Sequence, residues 1–216
     1  AEMLTRQNFN SEVSYDADGE TPFRFGSFTT MGEFYVETGL NIIGMSDYKR
    51  ILSLDSAMAV VQFKKDHVVY QRNYFISYPA NVMVMRFSAD QPGKQNLVFS
   101  YAPNPVSTGN MASDSNKGLV YSASLDNNGM KYVVRIQAET KGGTLSNADG
   151  KLTVKGADEV VFYITADTDY KPNFDPDFKD PKTYVGVNPE ETTKQWMNNA
   201  VLQLSLIHIS EPTRPY

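Results

Sequence analysis

An antiparallel β-sandwich followed by the start of a helix is the fold this sequence predicts. Three observations carry it. Apolar and polar side chains alternate with a period of two through much of residues 33–166, turn-forming residues interrupt that pattern at short intervals, and Tyr and Phe are abundant. The 13 Tyr and 12 Phe, against one Trp, suit pleated and half-buried surfaces. Short strands at steady spacing with polar turns between them indicate a sandwich, not alternating strands and helices.

The elements follow in order. Strands are expected near 33–38, 57–64, 68–77, 81–88, 131–140, 151–155 and 159–166. "AMAVVQF" aligns Ala57, Ala59, Val61 and Phe63 on one face, and "QFKKDHVVY" reads as a hairpin with His67 at its turn. "DNNGM" at Asp126–Met130 signals a tight turn, because Asn and Gly accept positive φ. In "KYVVRIQAE", Tyr132, Val134, Ile136 and Ala138 share one face. Lys131, Arg135, Gln137 and Glu139 share the other, with Val133 the exception. "KGG" (Lys141–Gly143), "NADG" (Asn147–Gly150) and "KGAD" (Lys155–Asp158) read as further turns. "KLTVK" turns Leu152 and Val154 inward, and "EVVFYITAD" does the same with Val160, Phe162 and Ile164. Tyr132, Val134, Ile136, Phe162 and Ile164 are therefore expected in the core.

Two segments differ. "AEMLTRQNF" reads as the end of a helix or a peripheral segment. After Ala166 the period is lost in "DTDYKPNFDPDFKDPKTYVGV", a loop with three prolines and five aspartates. A helix then begins at about Pro189. Asn188 suits its cap, Pro189 its first position, and Glu190 and Glu191 complement the positive end of its dipole. Trp196 and Met197 are expected on its buried side.

Composition narrows the function. At 216 residues the chain fits one large domain, or one domain and a piece of another. A net charge of −5 with no basic stripe argues against a nucleic-acid partner. No apolar run approaches the ~20 residues of a membrane span. The absence of cysteine removes disulfides, thiolate metal sites and a thiol nucleophile. The chain starts without Met and without a recognisable signal peptide, which leaves an upstream leader open.

Candidate chemistry is sparse. Asp167, Asp169, Asp175, Asp177 and Asp180 offer the oxygen ligands calcium prefers, but without EF-hand spacing or its turn glycine; a solvated loop is the simpler reading. One loop also cannot supply the two opposed carboxylates of a glycosidase. His67 sits at a turn and His208 in the terminal segment, which leaves no case for a nucleophilic triad. No Gly-rich phosphate loop precedes a helix. The Tyr and Phe residues lie mostly within alternating strands and read as core, not as sugar platforms. No catalytic, cofactor-binding or metal-ligating residue is assigned, and no cofactor is expected.

Ordered blocks add what spacing cannot. "GSFTTMGEFYVET" (Gly26–Thr38), "YKRILSLDSAMAVVQF" (Tyr48–Phe63), "YQRNYFISYPANVMVMRFSAD" (Tyr70–Asp90) and the closing run Lys131–Tyr170 resemble the N-terminal domain of glycoside hydrolase family 95. That family includes α-L-fucosidases. The resemblance covers nearly all of residues 1–201. It implies a large N-terminal β-sandwich, a helical linker, an (α/α)6 catalytic barrel and a C-terminal β domain.

On that reading residues 1–187 are the sandwich, incomplete at its start, and 188–203 begin the linker. The barrel of the same chain is the missing partner. The implied parent is an inverting exo-α-L-fucosidase acting on fucosylated oligosaccharides, periplasmic or secreted. Its catalytic groups belong to the barrel, so this chain alone is expected to be inactive. "LSLIHISEPTR" (Leu204–Arg214) resembles a translated transposon-type sequencing adapter, so 204–216 are expected to be non-native. A stand-alone carbohydrate-binding or structural sandwich, and the same domain serving another barrel glycosidase, are the alternatives.

Overall fold

The computed structural model describes residues 29–126, 128–172 and 184–206. The early segment at residues 1–9, Asp175, Asp177, Asp180 and His208 lie outside them. Among the described residues twelve strands run in chain order: β1 (Gly32–Glu37), β2 (Ser46–Ser53), β3 (Met58–Lys65), β4 (Val68–Ser77), β5 (Val82–Ala89), β6 (Gln95–Pro103), β7 (Ser107–Ser115), β8 (Gly118–Leu125), β9 (Lys131–Lys141), β10 (Thr144–Ala148), β11 (Lys151–Ala157) and β12 (Glu159–Thr168). Helix α1 (Pro189–Leu206) follows. The strands form two antiparallel sheets, one of four in the order β1-β6-β11-β10 and one of eight in the order β2-β3-β4-β5-β12-β9-β8-β7. The all-β sandwich is therefore present, and neither sheet closes on itself.

All seven expected strands appear, with ends displaced by two residues or fewer. The hairpin turn at Asp66–His67 has both residues at positive φ (49° and 65°), the geometry whose twist matches flanking strands. Asp149 and Gly150 repeat it at φ 51° and 69° between β10 and β11. "KGAD" is a correction to the expected set of turns. Gly156 lies inside β11, where the register against β6 shifts between Val154 and Ala157, and Asp158 follows as the chain crosses to the other sheet. A glycine bulge and a hairpin turn share the same sequence signal, namely one residue at positive φ.

The sheets face each other across Phe87, Tyr121, Tyr132, Val134, Ile136 and Phe162 of the larger sheet and Phe99, Leu152 and Val154 of the smaller. Every residue expected in the core is buried, from 0% exposure at Val134, Ile136 and Phe162 to 4% at Ile164. Phe162 joins the layers: its ring stands 4.6 Å from Phe99 on the smaller sheet and 5.9 Å, edge-on, from Phe87 on its own. The crossings between sheets are stapled by Asp158. Its Oδ1 accepts the Gly93 N–H at 2.7 Å, and its own N–H donates to the Lys141 carbonyl at 2.8 Å. Gly143 serves the crossing from β9 to β10. A Cβ there would lie 2.4 Å from the Lys155 carbonyl oxygen, at a φ of +65°, so only glycine fits.

Candidate functional site: the helix seat and the groove at its head

The larger sheet is buried on both faces where α1 crosses it. The outward residues Phe75, Val82, Val84, Val161 and Tyr163 form a second apolar cluster with Met197 and Ala200 of the helix. Pro189, Thr193, Met197 and Ala200 are the buried helix positions, a stripe with helical spacing. Met197 is buried as expected, and Trp196 is only half-buried. Burial pushes the Tyr163 phenol up to about 12. Thr193 meets the sheet through its carbonyl, which accepts the Thr165 hydroxyl at 3.3 Å. Its own hydroxyl donates back to the Pro189 carbonyl at 2.7 Å.

The head of the helix is capped as the sequence indicates. The Asn188 Oδ1 accepts the Glu190 N–H at 3.1 Å, and Glu190 and Glu191 occupy the first turn. Asn188→Ala is expected to cost about 1 kcal/mol, the usual loss for an N-cap. Urea unfolding followed at the helix signal measures it, and an unchanged midpoint would show the cap to be idle.

Glu190 also reaches the sheet. It accepts the Ser122 hydroxyl of β8, and its Oε2 accepts from Arg135 Nη2 of β9 at 3.1 Å. Arg135 Nη1 pairs with Asp114 of β7. From β9 the guanidinium therefore ties the helix head to strand β7 across β8. Arg135 is only 3% exposed, and its Nε has no acceptor. The sequence placed Arg135 on a polar, outward face; the face is outward, but α1 covers it. The missed signal was Val133, together with Val161 and Tyr163, which make the second face of β9 and β12 apolar as well. A strand buried on both faces loses its alternation.

Beside the helix head lies an open groove of about 410 Å3, flanked by Thr108, Ser122, Ser124, Lys131, Asn188 and Glu190. Glu190 is the single carboxylate among its lining residues, and it is occupied by Arg135 and Ser122. Glycoside hydrolysis needs two carboxyl groups facing each other across the bond. Among the described residues the groove offers hydroxyls, the Lys131 side chain and one acid that is already paired.

The aspartate segment is partly described. Asp167 Oδ1 accepts the Thr168 N–H, and the buried Asp169 accepts the Lys131 N–H, each at 2.9 Å. The two ends of the segment are pinned together. Tyr170 bridges Val185, the Lys171 N–H donates to the Tyr184 carbonyl at 2.7 Å, and the Tyr170 and Tyr184 rings stack at 6.2 Å. Asp169 is thus a structural anchor between β9 and the loop. Among the described residues no group of three or more acidic or histidine side chains is gathered for a metal.

Comparison with known proteins gives three findings. Residues 2–173 match the family described as "Glycosyl hydrolase family 65, N-terminal domain". Over 192 residues the chain is 29% identical to "Probable alpha-fucosidase A" of Aspergillus niger, an alignment covering 84% of this chain and 23% of that protein. A solved structure titled "Putative kojibiose phosphorylase from human microbiome" aligns with a TM-score of 0.47 at 11% identity, over 81% of this chain and 24% of the other. The chain spans under a quarter of the length of either.

Proposed function

The chain belongs to the family of glycosyl hydrolase family 65 N-terminal domains, and from that premise we propose that it is the non-catalytic sandwich of an exo-α-L-fucosidase, joined through α1 to a catalytic domain. The observation that carries the fucosidase reading is the 29% identity to the Aspergillus protein over most of this chain. The resemblance of the ordered sequence blocks to family 95 supports the same reading and adds an inverting mechanism housed in a barrel. In this view residues 1–187 are the sandwich and 188–203 the first part of the linker.

The geometry supports a carrying role. Helix α1 crosses the sheet from Glu190, beside β8 and β9, to Ala200, beside Phe75 and Val82. It ends near the β4–β5 hairpin, where Ile76 and Tyr78 are 71% and 84% exposed; Leu52, in the same region of the sheet, is 69% exposed. Large apolar side chains exposed together are costly unless something covers them. We assign that cover to the catalytic domain.

The test is an assay of the purified 216-residue chain and of an extended protein containing the downstream domain. The chain alone should release no fucose from a 2′-fucosylated oligosaccharide, because on this reading the groups that protonate the leaving oxygen and activate water belong to the downstream catalytic domain. The extended protein should release it. Fucose release by the chain alone overturns the reading. A second reading rests on the family description itself, which names family 65: the same sandwich then serves a different glycosidase. An extended protein that leaves fucose in place and releases another terminal sugar supports it.

The segment 204–216 is assigned no role in the domain. Its deletion is expected to change stability by less than about 0.5 kcal/mol, the scale of uncoupled surface changes. A loss of several kcal/mol in chemical denaturation would show instead that it packs into the fold.

A further inference from the structure

The turn between β8 and β9 contains the one Asn–Gly pair in the sequence, Asn128–Gly129. Both residues are exposed, and Gly129 sits at φ 72° with open space where a side chain would stand. The Asn128 side chain folds over the main chain that follows it, and its Oδ1 accepts the Met130 N–H at 2.9 Å. A turn closed in this way, by a side-chain carbonyl on the N–H two residues ahead, brings the carboxamide carbon back over the intervening peptide nitrogen. Here that nitrogen belongs to Gly129.

Three parts of an acyl transfer are thereby gathered. The Gly129 nitrogen is a nucleophile, Cγ of Asn128 is the electrophile, and Oδ1 is where negative charge grows as they join. The Met130 N–H already donates to that oxygen, as a donor in an oxyanion hole does. Among the described residues Asn41, Asn104 and Asn188 make the same contact, to the N–H groups of Ile43, Val106 and Glu190. Asn104 and Asn188 precede proline, whose nitrogen has no hydrogen to give up. Asn41 precedes Ile42, whose branched side chain crowds the approach to its nitrogen. Asn128 alone among these four joins the turn contact to an unobstructed nitrogen.

We propose that Asn128 is a self-modification site, at which the chain converts its own side-chain amide to an acid. Hydroxide takes the Gly129 N–H proton, the nitrogen bonds to Cγ, and the Cγ–Nδ2 bond breaks. Nδ2 leaves as ammonia with a proton from water. The resulting succinimide ring adds one water at either carbonyl and opens to aspartate or isoaspartate. The sum is asparagine plus water, giving the acid plus ammonia. The fold also supplies a brake: the Gly129 N–H donates to the carbonyl of buried Leu125 at 2.8 Å. That bond must open first, so the rate follows local opening of the turn. Conversion adds a negative charge beside Asp126, and the iso form lengthens the main chain between β8 and β9. Those two strands receive the helix head through Ser122 and Arg135. The site does not depend on the fucosidase reading.

The test is a timed incubation of the folded chain in mildly alkaline buffer, followed by digestion, peptide mass spectrometry and labelling with an isoaspartate methyltransferase. The peptide holding Asn128 should gain the mass of an amide-to-acid exchange, and the methyltransferase should label it. The rate should rise with hydroxide concentration, and the peptides holding Asn41, Asn104 and Asn188 should lag behind. Asn128→Gln should abolish the label there and leave the denaturation midpoint unchanged, as a change at an exposed turn does. Ile42→Gly supplies the converse. Ile42 is 79% exposed, so the variant should fold, and Asn41 should now convert faster than in the parent chain. An intact Asn128 while other asparagines convert overturns the proposal. Acid at 128 without isoaspartate overturns the succinimide route, and an unchanged Asn41 in Ile42→Gly overturns the role of the turn contact.

Discussion

Phe162→Ala is expected to destabilise the protein by about 3–5 kcal/mol, the range for emptying a buried aromatic site. Phe162 is fully buried and touches rings of both sheets, so its loss removes the contact between layers as well as its own transfer energy. Its neighbours Val160 and Ile164 lie on the same face of β12 and cannot move into the space without leaving their own contacts. The strand is fixed on both sides, by β5 and by β9, which limits relaxation of the backbone. With typical stabilities of about 5–15 kcal/mol, such a loss is a large part of the whole. Chemical denaturation should show a lower midpoint with an unchanged slope. A cost below about 1 kcal/mol would mean that Phe162 does not join the two sheets.

Arg135→Ala is the second large effect, expected near 3 kcal/mol. Removing one partner of a buried ion pair typically costs about 3–5 kcal/mol. The low end applies here, because Asp114 and Glu190 keep 31% and 39% side-chain exposure and are partly rehydrated when the guanidinium is lost. Glu190→Gln keeps the Ser122 contact in neutral form and should cost about 1 kcal/mol. A double-mutant cycle between the two sites should give a coupling of 0.5 kcal/mol or more, roughly the threshold for residues in one network. Independent, additive effects would show that Arg135 and Glu190 do not act together. Helical circular dichroism should fall in Arg135→Ala before the sheet signal does, since the lost contact holds the head of α1.

Much of the sandwich was legible because half-buried strands write their geometry into the sequence. β9 shows it best: Tyr132, Val134, Ile136 and Ala138 alternate with polar residues and all four are buried. β12 was equally clear on one face, and the cap at Asn188 fixed the helix start to the residue. The strands that escaped had physical reasons to. β7, "STGNMASDS", is a polar edge strand held by its pairing with β8, so its own composition reads as loop. β10 has only five residues, and β2 is exposed along almost its whole length. β6 is different: Gln95, Leu97, Phe99 and Tyr101 alternate inward, so its period of two is present in the sequence.

The sites were less legible than the fold. Arg135 looks like a solvent-facing residue from its own strand alone, because the helix that covers it lies some 50 positions away in sequence. Asp169 illustrates the reverse case. Grouped with four other aspartates it reads as part of a solvated loop, but its side chain is buried and its carboxylate anchors the β9 backbone.

The central claim is that α1 is an integral layer of this domain, by which the sandwich holds the chain that follows it. Native-state hydrogen exchange on amides 193–201 tests this directly. Those amides should exchange only with global unfolding, at the same free energy as the amides of β9 and β12. Exchange of the helix at near-zero opening energy while β9 and β12 stay protected would contradict the account, and would make α1 a loosely attached tether.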